Sequence, residues 1–235
     1  MSTAETEAPG GYLAAPAQFR GEVPDPPWPG VVLVHDAFGM TPDLRRQADK
    51  LAAAGYLALA PDLWRGRPWL MCIRPAFRQL MAGSGPIFSD LAAAAAQLAA
   101  RDDCSGKIGV IGFCLGGGFA LMCAPRQGFA AASVNYGPVP KEAEQVLAGS
   151  CPVVASYGAR DPGMGRQVSR LRDAMARHDV PADIKVYPGA GHAFLNRYTG
   201  ARGALMKVTG MSYQPDAAAD AWLRILAFFG EHLRS

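Results

Sequence analysis

The segment running from Lys107 to Phe119, Lys-Ile-Gly-Val-Ile-Gly-Phe-Cys-Leu-Gly-Gly-Gly-Phe, restricts the fold of this chain more than any other. Ile108 to Ile111 is an apolar run suited to a buried strand, and Leu115 to Cys123 reads as a helix. Between them stands Gly112-Phe113-Cys114-Leu115-Gly116. A chain that passes from strand to helix so abruptly puts the apex residue in strained backbone, and its neighbours can carry almost no side chain. Gly112 and Gly116 meet that need, and the apex is Cys114. The turn lifts its sulfur to the end of the strand, over the helix N-terminus. There the free N–H groups and the helix dipole favour a thiolate and a developing oxyanion. A plainer reading of the same residues is a Gly-rich turn around an inert, buried cysteine.

The rest of the chain supplies a setting for such a turn. Val31 to Val34 is a continuous apolar run, as in a strand buried on both faces. Thr41-Pro42 reads as N-cap and first residue of a helix reaching about Ala54, where Gly55 ends it. Tyr56 to Ala60 is a further strand. Residues 63–88 are irregular, with a short helix expected around Arg74 to Met81. Ser89-Asp90 caps a helix through Ala100. Strands follow at Ala130 to Tyr136, Pro152 to Tyr157 and Asp183 to Tyr187, and helices at Gln167 to His178 and Pro215 to Leu233. Strands alternating with helices imply an α/β chain, its mostly parallel central sheet covered by helices on both faces. Residues 1–29 are rich in Pro and Gly and are expected to be irregular, with at most one or two short edge strands near Gly11 to Phe19. No repeat or linker divides the remainder, so a single domain spanning residues 1–235 is the economical expectation.

Composition removes several functions. Half of the 235 residues are hydrophobic and 18% are charged, with a formal net charge of +3. The arginines are scattered, and no basic run of the kind that binds nucleic acid appears. No apolar stretch reaches membrane-spanning length. Five cysteines, with no C-x-x-C pair and no Cys/His ligand spacing, imply neither a disulfide framework nor a metal site. The opening residues are polar and acidic rather than a basic-then-apolar leader, so the expectation is a cytoplasmic protein in a reducing compartment.

A nucleophile at such an apex needs a base and a group to orient it. In the α/β-hydrolase fold these follow in the order nucleophile, acid, histidine, on loops after later strands. Asp161 stands after the strand ending near Tyr157, and His192 lies in a Gly-rich loop after the last strand. Asp161 before Pro162 would also serve as a simple turn residue. His178 and His232 fall at helix ends, and His35 reads best as a hydrogen-bonded core histidine. The backbone N–H groups of Leu115, opening the elbow helix, and Ala37, in the loop after the first core strand, are the candidate oxyanion donors.

Five blocks together resemble the dienelactone hydrolase family: Val34 to Gly39, Ala54 to Leu63, Gly112 to Gly117, Tyr157 to Asp161 and Gly189 to Phe194. The resemblance covers most of residues 30–232. It implies an α/β-hydrolase fold and a cofactor-free, metal-free hydrolase of a small-molecule ester or lactone, a monomer or homodimer. It also implies a catalytic triad on Cys114, His192 and Asp161. The family places an acidic residue, usually Glu, in the oxyanion loop, where it contacts and poises the thiol; this chain has the shorter Asp36. The family also binds a substrate carboxylate with an arginine shortly after the histidine and another from the segment before the elbow. Here the matching position is Asn196 with Arg197 beside it, and Arg74 and Arg78 are candidates from the earlier segment, although each arginine also suits a solvated surface. The rival reading is a non-catalytic member of the fold that binds a small ligand or senses oxidants through Cys114.

Overall fold

The computed structural model describes residues 10–19, 23–126, 128–208 and 211–234. Seven strands form one sheet in the order β1-β3-β2-β4-β5-β6-β7. They are β1 (Gly11–Ala14), β2 (Trp28–Val34), β3 (Leu57–Pro61), β4 (Cys104–Phe113), β5 (Ala131–Asn135), β6 (Val153–Gly158) and β7 (Ala182–Tyr187). Only β1 runs antiparallel, against β3; every other pairing is parallel. Residues 1–9 and 20–22 of the N-terminal segment lie outside the described residues. Gly11–Ala14 is an edge strand, whereas Pro16–Phe19 is a single 3-10 turn.

The helices are α1 (Pro42–Ala53), α2 (Trp69–Ala82), α3 (Pro86–Ala99), α4 (Leu115–Cys123), α5 (Ala143–Val146), α6 (Met164–Arg177), α7 (Gly200–Val208) and α8 (Pro215–Leu233). Every residue of β2, β5 and β6 is buried, as strands covered on both faces must be. Thr41 caps α1 by accepting a hydrogen bond from the Leu44 N–H at 3.3 Å, with Pro42 at the first helical position.

Three differences from the sequence reading have physical causes. The helix expected from Arg74 begins at Trp69 and runs through Pro75. Its first turn is secured by contacts distant in sequence, with Trp69 packed edge-on against Phe38 at 5.3 Å and Cys72 buried. The helix expected from Ser89 begins at Pro86, because the Gln79 side chain of the preceding helix accepts the Ile87 N–H at 2.9 Å and supplies a cap from outside. The elbow strand is longer than Ile108 to Ile111; of its added first residues Cys104 is partly covered and Ser105 to Lys107 are exposed. Helices α5 and α7 carry no sequence signal strong enough to place them in advance.

The loops carrying the candidate nucleophile, its partners and Asp36 leave the C-terminal ends of parallel strands: Asp36 after β2, Cys114 after β4, Asp161 after β6 and His192 after β7. That edge is where sheets of this kind assemble sites. Among the described residues no helix is long and apolar enough to cross a membrane.

Candidate active site

Cys114 sits between β4 and α4 with φ 55° and ψ −121°, a conformation that costs about 1–3 kcal/mol in a non-glycine residue. The surrounding backbone holds it there. The Cys114 N–H donates to the Asn135 carbonyl at 3.0 Å, and the Cys114 carbonyl accepts from the Gly118 N–H at 3.3 Å. A Cβ on Gly112 would lie 2.0 Å from the Gly116 carbonyl oxygen, and one on Gly116 would lie 2.3 Å from that of Val34. Both glycines are therefore required by close backbone approach. All five cysteines are free thiols. Burial pushes Cys123 and Cys151 up to about 12, so both are neutral at ordinary pH. Cys114 is partly covered.

Asp161 and His192 come together at the sheet edge. His192 Nδ1 lies 2.6 Å from Asp161 Oδ2, and Cys114 acts on the same ring. Gly158 makes this approach possible. A Cβ there would sit 2.5 Å from the carbonyl oxygens of both Ala190 and Gly191. The two loops are further tied by the Arg160 N–H donating to the Ala190 carbonyl at 2.9 Å. Burial acts to lower the His192 pKa, but the hydrogen bond to Asp161 and the nearby Cys114 outweigh it and raise the value to about 10. The arrangement favours an imidazolium held between a carboxylate and a sulfur.

The loop after β2 forms the opposite wall. Leu115 is the first residue of α4, so its N–H has no acceptor within the helix. Ala37 is anchored through its carbonyl, which accepts the Trp64 indole N–H at 3.2 Å. His35 is buried, lowered below its ordinary pKa by desolvation, packed against the Trp64 ring at 4.6 Å, and donates from Nδ1 to the Asp36 carbonyl at 2.8 Å. It is a structural histidine that fixes the loop.

Asp36 is buried, and its carboxylate accepts from the Phe38 N–H at 2.7 Å and from the Tyr198 hydroxyl. Tyr198 was not legible as a site residue, since nothing local marks it. Burial and the neighbouring Asp36 carboxylate raise its pKa, so the phenol stays protonated as a donor. The ring of Phe38 packs edge-on against both Trp69 at 5.3 Å and Tyr198 at 5.5 Å, giving this wall an aromatic face.

The four residues considered for substrate binding have different fates. Asn196 is buried. Its carbonyl accepts the Tyr136 hydroxyl and its amide donates to Asp43 Oδ2 at 3.0 Å. Asp43, also buried, further accepts from Gln47 at 2.8 Å and from Arg46. Both ends of the Asn196 amide are thus spent inside the protein. Tyr136, itself fully buried, lies edge-on to the His192 ring at 5.1 Å. Arg197 is drawn to Tyr213, donating to its hydroxyl at 2.5 Å and stacking over its ring at 4.2 Å. Arg74 and Arg78 are exposed on α2. The Tyr136–Asn196–Asp43 chain was not anticipated. Asp43 in the first turn of a helix reads as a dipole partner, and only Tyr136, ending a strand on the site's edge, carried a positional hint.

The model of the dienelactone hydrolase family matches residues 11–233. The carboxymethylenebutenolidase of Rhodococcus opacus is 30% identical over 225 residues, covering 86% of this chain and 81% of that protein. Among solved structures, the dienelactone hydrolase-like promiscuous phosphotriesterase P91 from metagenomic libraries is 25% identical, with TM-score 0.71 and coverage of 89% and 88%. The dienelactone hydrolase of Anabaena variabilis, at 23% identity, shares the fold with TM-score 0.65 over 95% of this chain and 91% of its own. By the sheet order, the elbow and the extent of these matches, the chain belongs to the dienelactone hydrolase family and has its α/β-hydrolase fold.

Proposed function

We propose that the protein hydrolyses a small carboxylic ester or lactone through a thiol nucleophile, with Cys114, His192 and Asp161 as the triad. One observation carries this reading: His192 is held by Asp161 through a 2.6 Å contact, and the ring so oriented feels the strained elbow cysteine as its other partner. Asp161 holds Nδ1, which leaves Nε2 for the sulfur. The thiolate of Cys114 attacks the carbonyl carbon, and the oxygen becomes an oxyanion facing the N–H groups of Leu115 and Ala37. Collapse breaks the ester C–O bond, and the leaving alkoxide or enolate takes the proton of His192. Neutral His192 then removes a proton from water, the resulting hydroxide attacks the thioester, and the thiolate is regenerated with the carboxylic acid released. The aromatic face of Phe38, Trp69 and Tyr198 suits a flat, unsaturated or aryl ester.

Asp36 in this scheme keeps a negative charge beside the loop that supplies Ala37, shared with the Tyr198 hydroxyl. It disfavours a free thiolate until substrate displaces the balance. The experiment is hydrolysis of p-nitrophenyl acetate and of a dienelactone by the wild type, Cys114→Ala and His192→Ala. Both variants are expected to lose at least about 10³-fold in kcat. Turnover by Cys114→Ala at the wild-type rate would overturn the nucleophile assignment, and retained turnover in His192→Ala would overturn the base.

A further inference from the structure

Four of the large hydrophobic side chains that stay exposed lie on one helix: Leu70, Met71, Phe77 and Met81 of α2. Apolar surface gathered in this way marks a contact waiting to be made. Phe77 (47% exposed) and Met81 (57% exposed) form one wall of a groove of about 1010 Å³. Val139 and Val146 line it from the loop after β5 and from α5. The groove lies against the elbow helix. Its lining residues Leu80 and Pro138 pack so close to Gly118 that a Cβ there would meet them at 2.8 and 2.9 Å. Gly118 is four residues along α4 from Cys114, about 6 Å at helical rise.

The polar part of the lining is strongly one-signed. Arg126, Lys141, Arg166 and Arg170 border the groove against one carboxylate, Glu142. Two of these cations are fixed in place by carbonyls. Arg126 donates to the carbonyls of Met122 and Gly83, and Arg170 to those of Val139 at 3.3 Å and Pro140 at 3.1 Å. A carbonyl positions a guanidinium without neutralising it, so both charges stay available to an anion. Lys141 and Arg166 are exposed and have no ion-pair partner among the described residues.

We propose that this groove is a binding site, separate from the Cys114 centre, for an amphipathic monoanion: an aliphatic carboxylate of medium to long chain. The apolar wall selects against small inorganic anions, which gain nothing from Phe77 and Met81. The four cations select against a neutral lipid, which would leave them without an added partner. The dimensions fall in the range of small-molecule sites, which are mostly apolar with a few convergent polar groups.

The test is isothermal titration of the full chain with decanoate below its micelle concentration, beside decan-1-ol and acetate as probes of charge and chain. Decanoate is expected to bind at least about tenfold more tightly than either probe, and its affinity should fall with added salt. The double variant Lys141→Gln/Arg166→Gln removes two exposed side chains that have no ion-pair partner among the described residues, and it should weaken decanoate about tenfold while retaining ester hydrolysis. Phe77→Ser should erase the preference of decanoate over acetate. Alkylation of Cys114 by iodoacetamide should leave decanoate binding unchanged. Equal binding of decanoate and decan-1-ol would overturn the proposal. So would equal binding of acetate, an unaltered affinity in the double variant, or no binding at all. Loss of binding on alkylation would place the ligand in the catalytic centre and overturn it equally, whereas failure of the esterase reading would show only in the Cys114→Ala kinetics.

Discussion

Asn196 separates two accounts of this site most sharply, because a substrate ligand and an internal strut respond differently to truncation. Replacing it with alanine removes the acceptor for the buried Tyr136 hydroxyl and one donor to the buried Asp43 carboxylate. Each orphaned buried partner costs about 1–3 kcal/mol. Asp43 falls at the low end because it keeps Gln47 and Arg46. Tyr136 loses the acceptor that its hydroxyl proton has among the described residues. The sum is about 2–4 kcal/mol, or a fall in Tm of roughly 5–15 °C for a chain of this length. Urea unfolding followed by tryptophan fluorescence measures it. Tyr136→Phe should cost about 1–2 kcal/mol alone, and the double variant should cost at least about 1 kcal/mol less than the sum of the singles. Since Tyr136 packs on His192 at 5.1 Å, kcat for an aryl ester should fall while KM changes by less than about twofold. If Asn196→Ala loses under about 0.5 kcal/mol and raises KM alone, the strut account is refuted and Asn196 contacts substrate.

Other perturbations probe the remaining walls. Gly158→Ala drives a methyl to 2.5 Å from the Ala190 and Gly191 carbonyls and should part Asp161 from His192; a displacement near 1 Å costs about 10²-fold in kcat, whereas Gly189→Ala, with nothing within 4 Å, should leave the rate unchanged. Tyr198→Phe strips a donor from Asp36 and leaves its carboxylate charge less shared; under the proposed poising role of Asp36, alkylation of Cys114 by iodoacetamide near pH 7 should slow, Asp36→Asn should speed it, and changes in the same direction for both would contradict the scheme. His192 binds its proton more tightly folded, at about 10, than at its ordinary 6.5. Its contribution to stability is therefore fully present below about pH 6.5 and lost as pH rises through 10. The urea-midpoint advantage of wild type over His192→Gln should shrink across that window, and an advantage that grows would reverse the sign of the argument.

Residues whose chemistry is local were legible, and those whose partners come from elsewhere were not. The elbow could be read because its constraint lies within Gly112 to Gly116, and the strand–helix alternation could be read because hydrophobic period is a property of each segment. Asp161 and His192 could be nominated because a parallel sheet sends every such loop to one edge, so chain order stands in for proximity. Nothing comparable exists for Asn196. Its position four residues after His192 invites the role of a substrate ligand, and that inference treats the side chain as pointing to solvent. Its direction is set by Tyr136, 60 residues earlier, and Asp43, 153 residues earlier, two groups that are buried and need partners. The same holds for α3, whose start is moved to Pro86 by a glutamine on another helix, and for Asp36, whose shorter side chain is met by Tyr198, 162 residues away. In each case a buried polar atom must be satisfied, and its partner is whichever one the fold brings within 3 Å. The candidate nucleophile, base and orienter therefore follow from pattern, while the residues that hold them in register follow only from the packed structure. Asn196 shows why the two sets should be tested differently: an interaction spread over three buried residues registers first in stability and in kcat, and only secondarily in substrate affinity.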